Sequence, residues 1–130
     1  MRLLFVAAAL LGVAPLGAQG IPSPLGHWAG TSICTPAAGP ACKNEVVRYD
    51  FRPVRADSVQ LWADKIVGDS VVPMFDLGLR AQHGGWEGEF ANTRVHILWR
   101  FEVLGDSIAG VLYLLPERTI GRHVAVTRVP

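Results

Sequence analysis

Residues 94–115 read RVHILWRFEVLGDSIAGVLYLL and describe a β-hairpin. In the first arm Val95, Ile97, Trp99 and Phe101 alternate with Arg94, His96, Arg100 and Glu102. Period-2 alternation with one apolar face is the pattern of a half-buried strand. Leu98 is the one apolar residue on the polar side. Leu104, Gly105, Asp106 and Ser107 supply a tight turn. The second arm, residues 107–115, is apolar on both faces, as a strand covered from two sides would be.

Strands of this kind recur outward in both directions. Residues 27–34 (HWAGTSIC) form a first strand, and residues 45–52 (EVVRYDFR) a second that Pro53 ends. Residues 58–66 form a third, although Trp62 and Lys65 break its alternation. Residues 70–82 make either two short pieces or one bent strand, because Pro73 and Gly78 interrupt them. In that stretch Phe75, Leu77, Leu79 and Ala81 share a face. Residues 86–90 precede the hairpin, and residues 122–129 close the chain. Glycine and proline punctuate the sequence too often for long helices. Eight to nine short strands at regular spacing predict an all-β protein, an antiparallel up-and-down β-barrel.

The amino terminus has a different character. Met1-Arg2, an apolar run over residues 3–13 and the small residues of APLGA predict a signal peptide over residues 1–18, cleaved after Ala18. Its apolar run is too short for a stable membrane span. Cleavage would leave roughly 110 residues, the size of one small domain. Residues 19–25 would be a flexible N-terminal segment, stiffened locally by Pro22 and Pro24, and residues 26–130 the single barrel domain. Without Arg2 the 12 basic residues fall to eleven, against 11 acidic ones, so the mature chain is formally neutral. It lacks the basic stripe of a nucleic-acid binder and the polybasic cluster that draws proteins to anionic membranes. The expected location is secreted or periplasmic. In an oxidising compartment Cys34 and Cys42, separated by the turn-rich TPAAGPA, predict a disulfide rather than a metal site or catalytic thiol.

Two motifs repeat. GHWAG (residues 26–30) and GGWEG (residues 84–88) share G-x-W-x-G, and Asp-Ser precedes a strand at Asp57, Asp69 and Asp106. An old duplication and simple reuse of turn chemistry both account for this. The first motif, Gly26-His27-Trp28 shortly after a signal sequence, resembles the opening of the lipocalins and the wider calycin group. The resemblance implies a barrel whose base is closed by Trp28 packed against an arginine of the last strand, for which Arg128 is the candidate. Such a pair gains about 1–2 kcal/mol of cation–π energy. The family's T-D-Y motif is absent from this chain. An outer-membrane barrel is disfavoured by short strands, frequent arginine and the lack of a terminal aromatic residue.

Chemistry is sparse. His27, His83, His96 and His123 form no H-x-H or H-E-x-x-H pair, so no metal is expected. Glu87 and Glu89 share a strand face, which suits a solvated surface better than a glycosidase pair. No G-x-S-x-G elbow or glycine-rich phosphate loop occurs. No catalytic residue, enzymatic activity or cofactor is expected. The aromatic residues are the other candidates: Tyr49, Phe51, Phe75, Trp99, Phe101 and Tyr113 would line an apolar cavity or fill the core. Trp62 and Trp86 fall at partly exposed positions or a barrel end. The expected function is therefore binding of a small apolar or amphipathic ligand inside the barrel. The alternatives are a protein-binding module, such as an inhibitor of an exported protease with a projecting N-terminal segment, and a structural envelope protein.

Overall fold

Alternating apolar residues leave each strand with one face that must be covered, and a meander covers it by closing on itself. The computed structural model describes residues 20–130; the signal-peptide reading and Gln19 lie outside the described residues. Eight strands follow in order: β1 (Gly26–Cys34), β2 (Glu45–Arg55), β3 (Ser58–Val67), β4 (Ser70–Gln82), β5 (Gly85–Ala91), β6 (His96–Leu104), β7 (Ser107–Leu114) and β8 (Thr119–Arg128). Each pairs antiparallel with the next, and β8 returns to β1 to close an up-and-down barrel. Closure removes the exposed edges that a flat sheet of this length would carry.

The inward faces are those that alternation selects. Val47, Tyr49 and Phe51 of β2, Leu61 of β3, Trp99 and Phe101 of β6, and Val124 and Val126 of β8 are all buried. In an eight-stranded barrel the interior is just wide enough for such side chains to fill. Here aromatic rings fill it. Phe101 stacks on Trp99 at 5.6 Å and meets Phe51 and Tyr49 edge-on at 5.6 and 5.9 Å.

Several boundaries differ from the sequence reading. Pro53 does not end β2, which runs to Arg55 through an irregular register beside β3. A proline is tolerated there because the ladder is already disrupted. The hairpin's first arm starts at His96, since Asn92 Oδ1 accepts from the Arg94 and Val95 amides and holds them in a turn. β4 is one strand, with a register shift in its pairing to β3 between Ala63 and Asp64. The outer face of β7 is not covered by a second layer: Ala109 is exposed, and Val111 and Tyr113 are half-buried.

The base of the barrel is sealed by residues that were expected to be flexible. Ile21 and Pro24 are buried. The indole of Trp86 donates to the Pro22 carbonyl at 2.9 Å, and that of Trp28 to the Pro24 carbonyl at 2.8 Å. The segment is therefore docked rather than projecting, because two buried indole N–H groups need acceptors and its carbonyls supply them. The guanidinium of Arg128 lies 4.3 Å over the Trp28 ring, and its Nη1 donates to the Leu25 carbonyl. At the other end Cys34 and Cys42 are disulfide-bonded around a short 3₁₀ turn, Pro36–Ala38.

Candidate functional site

The ring stack that fills the barrel ends at a cleft. Phe75 of β4 stacks on Trp99 at 5.8 Å, with the planes 19° apart, and continues the column Trp99–Phe101 toward the surface. Beyond it opens an apolar hollow of about 250 Å³, bordered by Phe75, Asp76 and Leu77 on one side and Phe90, Val95, Ile97 and Trp99 on the other. Phe90 and Val95 are inward-directed by alternation yet 47% and 43% exposed, because no strand closes over them. Open apolar surface around a small hollow is a feature that packing alone does not account for.

The hollow exists because β4 and β5 part. Only Arg80↔Glu87, Ala81↔Trp86 and Gln82↔Gly85 pair across this seam. A Cβ on Gly88 would meet the Gly78 carbonyl oxygen at 2.5 Å, so a glycine is required where the two backbones cross closest. The ladder stops just short of that crossing, at Arg80↔Glu87.

Of the six expected ligand-lining residues, Phe75 and Trp99 border the cleft. Phe51 and Phe101 form the packed floor behind them. Tyr49 is buried on the far wall beside a polar group at the mouth: Arg122 Nη1 donates to Ser32 Oγ at 3.1 Å, and Arg122 Nη2 lies 3.9 Å from Glu45 Oε1. Burial holds the Tyr49 hydroxyl far above its ordinary pKa of 10.0, with Glu45 adding to the rise and Arg122 opposing it. Tyr113 does not join the others. It pairs with Leu98 on the outer face, and Arg118 sits 4.8 Å over its ring. A register shift between Leu112 and Tyr113 accompanies this placement.

Leu77 and Phe90 also border the cleft but were not singled out, and Val95 and Ile97 were read as part of the hairpin's inward face rather than as ligand-lining residues. The signal was present: Leu77 shares a face with Phe75, Val95 and Ile97 with Trp99, and Phe90 with Trp86. Sequence alternation cannot tell a covered inward residue from one left bare where two strands separate.

Glu87 and Glu89 are not a solvated pair. Glu87 is buried on the outer face, 2.6 Å from His83 Nδ1 and 3.6 Å from Arg100 Nη1, while exposed Glu89 lies 3.2 Å from His96 Nε2. Arg100 Nη2 also donates to the His83 carbonyl at 2.7 Å, so this network fastens the β4–β5 turn to β6. Among the described residues no three metal-binding side chains cluster, and no helix is long and apolar enough to cross a membrane. No family model matches the chain, and no curated protein or solved structure matches it either.

Proposed function

We propose that this chain is a non-enzymatic, lipocalin-like binding protein of an exported compartment, and that it takes a small apolar group in the β4–β5 cleft. The observation that carries the reading is the bare hollow bordered by Phe75, Phe90, Ile97 and Trp99 in a barrel otherwise packed to its centre. Size limits the occupant. Drug-sized ligands occupy pockets of roughly 300–1,000 Å³, whereas an apolar cavity of about 150 Å³ takes up benzene. The 250 Å³ here suits one ring or one branched aliphatic group, either a small molecule or the apolar end of an amphipathic one. A lipid carrier enclosing its ligand in the barrel would need the space that Phe51, Phe101 and Tyr49 occupy.

The disulfide and the N-terminal leader pattern support an exported location. The Trp28–Arg128 pair at the base supports a lipocalin-like architecture. An inhibitor that inserts a projecting N-terminal tail into a protease is disfavoured, because that segment is held by Trp28 and Trp86. Indole is a suitable small probe. Its addition is expected to shift the methyl NMR signals of Leu77, Val95 and Ile97, and Ile97→Trp, which fills the hollow, to abolish the shift. Unmoved methyl signals with indole and with octanoate would overturn the reading.

A further inference from the structure

A second hollow lies on the outer face of the barrel, over β1, β2 and β3. It measures about 420 Å³ and is bordered by His27, Arg48, Asp50, Arg52, Trp62 and Asp64, among others. Leu61 and Ala63 are buried in the core, so alternation turns Trp62 outward between them. Of the four tryptophans it alone is exposed, at 42%. An outward indole adds nothing to the core, and it offers the hollow a flat apolar face.

Charged contacts hold that ring in place. The Arg52 guanidinium sits 4.9 Å over the Trp62 ring, and its Nε donates to Asp50 Oδ2 at 2.7 Å. Asp50 stands directly across from Trp62 in the β2–β3 ladder, and its Oδ1 lies 3.6 Å from His27 Nδ1. Next along the same outer face, Arg48 and Asp64 also oppose each other. Unlike Asp50 and Arg52, neither takes an ion-pair partner among the described residues. A guanidinium and a carboxylate not engaged by the protein therefore border the same hollow as the indole.

These features select the chemistry of an occupant. Arg48 and Arg52 balance Asp50 and Asp64, so the hollow has no excess charge to hold an ion or the phosphates of a nucleic acid. The buried centre of a protein interface is depleted in charged residues, whereas all four of these surround Trp62. A sugar hydroxyl both donates and accepts hydrogen bonds, and so can use Arg48 and Asp64 together. The C–H face of a pyranose ring is weakly positive and matches the negative face of an indole.

We propose that the outer face around Trp62 binds a neutral pyranose ring of a glycan, stacked on the indole and hydrogen-bonded by Arg48 and Asp64. This site is separate from the β4–β5 cleft and stands whether or not that cleft takes an apolar group.

The test is protection of Trp62 from acrylamide quenching of its fluorescence, with cellotetraose and chitotetraose as probes and sorbitol and glycine as controls. Trp28, Trp86 and Trp99 are buried, so the quenching reports mainly on Trp62. At least one oligosaccharide is expected to remove most of the quenching in a saturable way. Arg48→Gln and Asp64→Asn, which keep the reporter, should each weaken binding about tenfold, the cost of losing a hydrogen bond to a charged group. Trp62→Ala removes a side chain outside the core and should abolish the sugar-induced amide NMR shifts at Asp50 and Asp64. Failure of both oligosaccharides to protect Trp62, equal protection by sorbitol or glycine, or shifts that survive Trp62→Ala would each overturn the proposal. Protection that grows with protein concentration alone marks a second copy of the chain on this face and overturns it as well.

Discussion

The barrel has two seams where a strand beginning with G-x-W-x-G meets an earlier or later partner, and they behave oppositely. At the first, β1 pairs with β8 over seven positions, from Trp28↔Arg128 to Cys34↔Arg122. At the second, β5 pairs with β4 over three. Both use the motif alike. Each tryptophan is buried and donates its indole N–H to the N-terminal segment, and the second glycine, Gly30 or Gly88, admits a neighbouring carbonyl oxygen where a Cβ would clash. The difference comes from the partner strand. β8 carries Val124 and Val126 straight past Gly30 and ends with Arg128 over Trp28. β4 brings Gly78 to the crossing, carries a register shift and a proline beyond it, and diverges. The same local device therefore locks one seam and only pins the other.

The sharpest way to break this contrast is to unlock the closed seam. Trp28→Ala removes a fully buried indole, its hydrogen bond and its cation–π contact. Large aromatic truncations in cores cost about 3–5 kcal/mol, so urea denaturation should show loss of most or all of the stability of so small a domain. Phe90→Ala at the open seam removes a ring already 47% exposed and should cost far less. Equal losses for the two would refute the distinction.

The disulfide belongs to the closed seam as well, since Cys34 ends β1 opposite Arg122. Closing a loop of eight residues' separation stabilises by about 2–3 kcal/mol in the chain-entropy model. Reduction should lower the denaturation midpoint accordingly while leaving the indole-induced shifts at Leu77 and Ile97 in place. Loss of those shifts on reduction, with the fold retained, would mean that the two seams are coupled.

The glycines give a finer comparison. At Gly30 a Cβ would collide with the Ala125 backbone, which cannot swing aside. Gly30→Ala should cost about 1–3 kcal/mol by overpacking. At Gly78 the nearest atom to a Cβ is the end of the Gln60 side chain at 3.5 Å, an ordinary contact. Gly78→Ala should be neutral or slightly stabilising, because alanine gives up less backbone entropy than glycine in a strand. Thermal denaturation of the two variants checks that Gly30 is sterically tight and Gly78 is not.

How far these seams could be read in advance follows from what alternation encodes. Val47, Tyr49, Phe51, Trp99 and Phe101 are inward because their neighbours are polar, and that face is legible in the sequence. The strand count and the pairing of Trp28 with Arg128 were legible too, the latter through resemblance alone. Ladder length was not. Where β4 leaves β5 depends on backbone crossing at Gly78 and Gly88, a non-local fact with no period in the sequence. Tyr113 was misplaced for a different reason: β7 is apolar on both faces, so alternation does not mark its inward side, and Ile108, Gly110 and Leu112 take that side while Tyr113 faces out. The docked residues 21–24 escaped notice because their anchors, Trp28 and Trp86, are up to 64 positions away.

The smallest expected effect concerns pH, and it falls on the closed seam only. Tyr49 packs near Glu45 and Arg122, against Phe51 and Phe101, and burial holds its hydroxyl above the ordinary value of 10.0. A raised folded-state pKa means that the folded chain keeps a proton which the unfolded chain releases. Its contribution is therefore complete below pH 10 and declines as pH rises beyond it. Wild-type urea midpoints should fall between pH 9 and about 11 more steeply than those of Tyr49→Phe, which has no proton to lose. Parallel slopes for the two proteins would show that the far wall of the barrel admits water to Tyr49 as freely as the open seam admits it to Phe90.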